Sequence, residues 1–275
     1  MDHQILHIFR NNPFGREVFL QSLYFAKKVK ITPNVYIPQF RQFLMYLRKT
    51  VVTVDLDKTF LHSPDTAREH AEAMIKNFGL QAEFLTPDEF TSGRIPNLPV
   101  DVSYMCCPRS ISDLSTKIGL GYIGPKVRGI IKNSTFPILI PSPVFKRWKN
   151  ITVFFGGSDT AVKAMRLAIH ISKMSGLPLY VFTQAEKKSQ KYYREIMVKN
   201  DIFQPIENQK AKWMFFDKGK FRDNLYEVSH KSLVVVGTVG HSLVKEVLFG
   251  SKAEKLQTIL PNNFLLVGPH YTPYF

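Results

Sequence analysis

Short, unbroken apolar runs alternate with stretches of helical periodicity along this chain, and the alternation occurs twice in the same order. In the second half, residues 151–155 are apolar and lead into Gly156-Gly157-Ser158-Asp159. A stretch then follows with Ala161, Ala164, Met165 and Ala168 on one helical face. Gly176 can end that helix, and residues 179–182 read as a second buried strand. The N-terminal half opens the same way. An apolar run at 5–9 meets a turn at Asn11-Asn12-Pro13, then an amphipathic stretch carrying Phe19, Leu23 and Ala26, then Val35-Tyr36-Ile37. Strands that are apolar throughout, with helices between them, belong to parallel sheets covered on both faces.

The ends of the halves correspond as well. A helical stretch at 127–131 leads to an apolar run at 136–140, as 253–260 leads to 264–267. Between these ends lie apolar runs at 80–85 and 100–105 in the first half, and at 213–216 and 233–236 in the second. The expectation is an α/β chain of two tandem, doubly wound, five-stranded parallel-sheet domains, 1–145 and 146–275. The junction falls at 141–150, where Pro141, Pro143 and Lys146-Arg147 mark a linker. The first half is longer by an extra strand or hairpin at 43–56, ahead of a second long helix at 66–77.

A length of 275 residues suits two such domains. Hydrophobic content of 44% with 21% charged residues is that of a globular protein, and no apolar stretch is long enough to span a bilayer. Asp2, His3 and Gln4 at the start do not read as a secretory signal, so the expected location is cytoplasmic. Cys106 and Cys107 are the only cysteines, and sequence neighbours rarely have the geometry of a mutual disulfide. No spacing of zinc ligands is present, and no metal site is assigned. The net charge of +15 is spread over Lys27-Lys28 and the segments 146–149, 187–191 and 210–220. A solubilising surface with a general attraction for anions accounts for it.

Chemistry concentrates in the second half. The apolar run at 233–236 enters Gly237-Thr238-Val239-Gly240, and after nine residues comes Gly250-Ser251, followed by a helical stretch. Glycines there allow close backbone approach, and N–H groups at a strand-to-helix turn and a helix start attract anions. Ser251 can cap its helix and donate to a phosphate oxygen. In an open α/β sheet, ligands sit beyond the carboxyl ends of the strands where the strand order reverses. The turns after 151–155 and after 233–236 flank that crevice.

Gly237, Gly240, Gly250 and Ser251 resemble the fingerprint of the ATP-binding universal stress proteins: glycine, two residues, glycine, nine residues, glycine, then serine or threonine. The likeness runs through residues 241–249 and Ala253-Glu254-Lys255, and covers nearly all of 151–275. It implies strand order 3-2-1-4-5, and ATP or a related adenine nucleotide, with or without Mg2+, held at Gly237, Gly240, His241, Gly250, Ser251 and Lys252. Adenine would lie against the second strand near Val181 and Phe182. The family usually has aspartate where this chain has Gly156, and Ser158 or Asp159 from the same turn can reach in, Asp159 being equally suited to capping the helix. The first half lacks the fingerprint: Leu114 falls where Gly240 would be, and Pro125 replaces Ser251 after Gly124. It reads as a degenerate partner domain. In tandem members the last strands of the two halves pair, here 136–140 with 264–267, to give a pseudo-dimer within one chain. The implied role is a stress-response sensor or regulator, with slow ATP hydrolysis at most and no catalytic residue assigned.

Two other readings stand beside this one. The run from Val51 to Thr59, with Asp55 and Asp57, looks like the first motif of haloacid dehalogenase-type phosphotransferases. In that chemistry one carboxylate attacks phosphorus and the other handles a proton. It also needs Mg2+ and a later acidic pair, and Asp101 and Asp113 each stand alone. The second alternative is a nucleotide-free interaction protein that uses its basic surface. His7, inside an apolar run, reads as a core residue, while His241 directly follows Gly240 in the phosphate loop. No helix-turn-helix or RNA-recognition signature is present. The protein partner is unidentified, and association into a homodimer is left open.

Overall fold

The computed structural model describes residues 3–47, 50–61, 63–87, 89–90, 95–98, 100–111, 123–185, 187–238 and 260–273. Two compact units emerge, one running to Lys146 and the other from Arg147 onward.

In the first unit, β1 (Gln4–Ile8), α1 (Pro13–Val29) and β2 (Thr32–Tyr36) form the opening βαβ. After them come β3 (Gln42–Leu47), β4 (Thr50–Asp55), α2 (Pro64–Phe78), β5 (Glu83–Leu85), β6 (Glu89–Phe90) and β7 (Pro96–Leu98). The unit finishes with β8 (Tyr104–Cys106), α3 (Pro125–Asn133) and β9 (Ile138–Ile140). Five of the strands form a parallel sheet in the order β5-β2-β1-β8-β9, which is 3-2-1-4-5 by chain position. Asn12 starts α1 by accepting a hydrogen bond from Gly15 N at 2.7 Å, and Pro13 sits at the position where its missing N–H costs nothing. The apolar face of α1 then meets α2 and the sheet through Phe19, Leu23, Val35, Ala71 and Ile75, all buried. Each such side chain contributes roughly 1.5–3 kcal/mol if its surface is fully removed from water, alanine less.

The extra segment at 43–56 is a hairpin, as expected, but it belongs to a second sheet. β3 and β4 pair antiparallel, β3 pairs parallel with β7, and β6 pairs antiparallel with β7. The strands at 89–90 and 96–98 were not legible, because Pro96 and their shortness hide them from any periodicity argument. The segment after β9 is not a loose linker. Phe145 packs edge-on against Tyr24 and Phe78 at 5.9 and 6.3 Å, and Glu17 and Gln21 of α1 accept hydrogen bonds from Phe145 N and Lys146 N.

The second unit contains β10 (Asn150–Phe154), α4 (Asp159–Ser175), β11 (Leu179–Gln184), α5 (Gln190–Lys199), α6 (Phe203–Asn208) and β12 (Lys212–Phe216). It continues with α7 (Phe221–Asn224), β13 (Ser232–Gly237) and β14 (Asn263–Val267). Its sheet is parallel throughout in the order β12-β11-β10-β13-β14, again 3-2-1-4-5. β10, β11, β13 and β14 are buried along almost their whole length, which explains why they read as continuous apolar runs rather than as alternating ones. Among the described residues no helix is long and apolar enough to cross a membrane.

Candidate functional site

In the second unit the chain order reverses between β10 and β13. β10 connects outward to β11 on one side, and β13 and β14 extend the sheet on the other. Phe154 stands beside Val236 in register, so the turns that leave these strands start at the same level. The turn after β10 is short and fixed. Phe155 N donates to Phe182 O at 2.9 Å, Gly157 takes φ +76°, and Ser158 becomes the N-cap of α4 by accepting from Ala161 N at 3.3 Å. Ser158 therefore fills the capping role that Asp159 also suited. Asp159 is the first helical residue, exposed, with its charge favourably placed against the helix dipole.

Gly237 closes the other side. A Cβ there would lie 2.5 Å from the carbonyl carbon and oxygen of Thr160 and 2.8 Å from Ala161 N. Only glycine lets the end of β13 lie directly on the first turn of α4. Beyond it, Thr238 is tied to β14 through both its N–H and its hydroxyl, each donating to Val267 O, at 3.0 and 3.1 Å. Gly156 contrasts with Gly237. It is exposed, and a Cβ built on it meets nothing within 4 Å among the described residues. Gly156, Ser158, Asp159 and Gly237 thus gather at one corner, where the first turn of α4 meets the strand ends. Val181 lies three residues before the end of β11, between Val153 and Trp213, and is completely buried. Phe182 next to it stacks on Phe154 at 4.8 Å. Gly240, His241, Gly250, Ser251 and Lys252 lie outside the described residues.

The corresponding corner of the first unit is differently built. Phe9 N donates to Tyr36 O as Phe155 N donates to Phe182 O, which matches Ile8 with Phe154, and the Leu6–Met105 and His7–Cys106 register carried on puts Pro108 at the position of Gly237. Arg10, just beyond β1, pairs with Asp57 at 3.1 Å, reaches Thr59 Oγ1 at 2.5 Å and lies over the Phe60 ring at 5.1 Å. Asp57 N in turn donates to Ile111 O at 3.3 Å, beyond the end of β8. Arg109, in that same turn, is 9% exposed, and burial lowers its guanidinium pKa to about 10. The first unit therefore fills this corner with its own charged side chains.

Asp57 is held in that corner as a structural ion pair. Asp55 ends β4, an antiparallel strand of the small sheet, and pairs with Arg41 at 3.4 Å. Neither carboxylate stands at the carboxyl end of a parallel core strand, where the phosphotransferase reading would need its nucleophile. Among the described residues no three histidine, cysteine or acidic side chains converge on a point that could hold a metal ion. Cys106 and Cys107 are both free and buried, and burial raises both thiols far above their ordinary range, so neither is a nucleophile.

No protein-family model matches the sequence, and no curated protein aligns with it significantly. Solved structures do resemble it. A universal stress protein from Archaeoglobus fulgidus superposes with a TM-score of 0.59 at 16% identity, covering 98% of this chain and 99% of that one. The fold is that of the universal stress proteins. A functionally unknown protein from Pseudomonas aeruginosa gives a TM-score of 0.55 at 10% identity over 98% and 93% of the two chains. In this chain the universal stress protein arrangement of strands occurs in both units, and the glycine fingerprint in the second alone. Sequence reasoning did not single out Thr160, whose main chain receives Gly237. A glycine at a strand end announces a close approach, but its partner is fixed only by how α4 docks.

Proposed function

We propose that the protein is a universal stress protein-like stress-response regulator that binds ATP or a related adenine nucleotide in its second unit, at the corner between β10 and β13. The observation that carries the reading is the contact of Gly237 with Thr160, which brings the end of β13 against the capped N-terminus of α4. Backbone N–H groups and a helix start then face the place where phosphates would lie. Gly237, Gly240, Gly250, Ser251 and Lys252 supply the phosphate and ribose contacts in this reading, with His241 beside them. Ser158 and Asp159 border the site from α4, and Gly156 leaves room at its edge. Mg2+, if it accompanies the nucleotide, is carried on the phosphates, with Asp159 the nearest carboxylate in the chain order of the turn. The basic balance of the chain favours an anionic ligand in general.

Denaturing protein purified without added nucleotide, and identifying what is released by chromatography and mass spectrometry, tests this directly. About one adenine nucleotide per chain, or ATP binding by calorimetry that disappears in Gly240→Val, is the expected result. A chain that releases nothing and gives no heat with ATP refutes the reading. The nucleotide-free alternative has a specific observation in its favour: Gly156 removes the aspartate that the resemblance would place at the end of β10.

A further inference from the structure

Away from the β10/β13 corner, the carboxyl ends of β11 and β12 carry an unusual charge density. Residues 185–192 and 216–222 contain Lys187, Lys188, Lys191, Lys218, Lys220 and Arg222 against Glu186 and Asp217. Six cations in these two short segments compare with 37 in the 275 residues of the whole chain, about three times the average density. All six are exposed. Among the described residues the ion pairs are Arg10–Asp57, Arg41–Asp55 and Arg68–Glu72, so no described carboxylate neutralises any of the six.

The two turns are joined. Asn224 donates both to Gln184 Oε1 at 2.7 Å and to Lys218 O at 3.0 Å, and Ala185 N donates to Phe216 O at 2.8 Å. Lys187 and Gly219 each adopt a left-handed backbone, φ +68° and +82°, and a Cβ on Gly219 would lie 2.9 Å from Asn224 Oδ1. The cations thus stand at the carboxyl ends of two neighbouring strands and on the first residues of α5 and α7. Tyr192, 40% exposed, stands among them with Lys188 Nζ 5.0 Å from its ring centre.

We propose that this edge of the second unit docks single-stranded nucleic acid without sequence preference, the lysines and Arg222 following the phosphates and Tyr192 offering a ring edge and face to a base. Phosphate neutralisation by lysine and arginine is the main source of such affinity, and an aromatic among the charges adds stacking. An anionic membrane fits less well, because surface insertion needs several exposed apolar side chains, and Tyr192 is the large one within these two turns. The proposal does not depend on the nucleotide site.

The test is fluorescence anisotropy of a labelled single-stranded oligouridylate with the full chain, across salt from about 50 to about 200 mM. Wild type should bind with a Kd of roughly 1–100 µM and a steep salt dependence. The variant Lys187→Gln/Lys188→Gln/Lys218→Gln/Lys220→Gln should lose at least about tenfold in affinity and flatten the log–log salt slope by about 2 to 3. A charge-matched control in the first unit, Lys58→Gln/Lys76→Gln/Lys126→Gln/Lys132→Gln, should keep the wild-type slope. Circular dichroism confirms that both variants are folded. Equal losses in both variants would reduce the effect to net charge and overturn the proposal, as would a wild type that ignores RNA or prefers phosphatidylserine vesicles.

Discussion

Gly237 and Gly156 look alike in sequence, one ending β13 and the other two residues beyond β10 of the same sheet, yet their surroundings demand opposite outcomes. At Gly237 a methyl group would force apart β13 and the first turn of α4. Gly237→Ala should cost about 1–3 kcal/mol in urea unfolding and weaken any nucleotide binding with it. At Gly156 the same change meets open space in an ordinary backbone conformation, and stability should stay within about 0.5 kcal/mol of wild type. Gly156→Asp has the room to restore the carboxylate that the resemblance leads one to expect, and should tighten adenine-nucleotide binding about tenfold by calorimetry. His7 gives a third residue-level test. Its ring lies 4.7 Å from that of Phe19, and burial lowers its pKa from 6.5 to about 3. The neutral imidazole fits the core, while the unfolded chain takes up a proton below pH 6.5. Stability from this position is therefore full above about pH 6.5 and falls as the pH drops towards about 3, by up to about 1.4 kcal/mol per pH unit. His7→Met should remove that slope from acid-unfolding curves.

Among the elements, α4 is the one on which the candidate site depends, and its start is set by Ser158. Ser158→Ala should cost about 1 kcal/mol, whereas Asp159→Asn, which removes a charge near the helix dipole and leaves the cap intact, should cost about 0.3–1 kcal/mol. Chemical denaturation of the two variants separates the roles. The hairpin β3–β4 makes the complementary point. Its Val-Asp-Leu-Asp run suggested an active-site strand, but register and partner decide otherwise: the strand is antiparallel, and both carboxylates are held by arginines. The local pattern was legible and its meaning was not, because the pairing of β3 with β7 and the reach of Asp57 to Arg10 are long-range facts.

For the molecule as a whole, 37 lysines and arginines against 22 acids leave +15 charges, and three ion pairs among the described residues absorb few of them. Self-repulsion opposes the compact state and is screened within a Debye length of about 10 Å near 0.1 M salt. Raising sodium chloride from about 10 to about 200 mM should raise the melting temperature, with most of the gain below about 100 mM. Scanning fluorimetry in a salt series reads this, and a flat or falling curve would mean that the positive charges are paired or widely separated.

The sequence by itself determined the class and the repeated order of elements. Continuous apolar runs require sheets covered on both faces, and helical periodicity between them requires parallel crossovers. It also marked Gly237, because a glycine ending an apolar strand signals close backbone approach. Only the tertiary structure decided what approaches it, and that Asp55 and Asp57 serve as ion-pair partners. These outcomes rest on contacts between residues far apart in the chain, such as the 47 positions that separate Arg10 from Asp57. Local propensity carries no information about such contacts. Packing does, because it sets which turn meets which strand end.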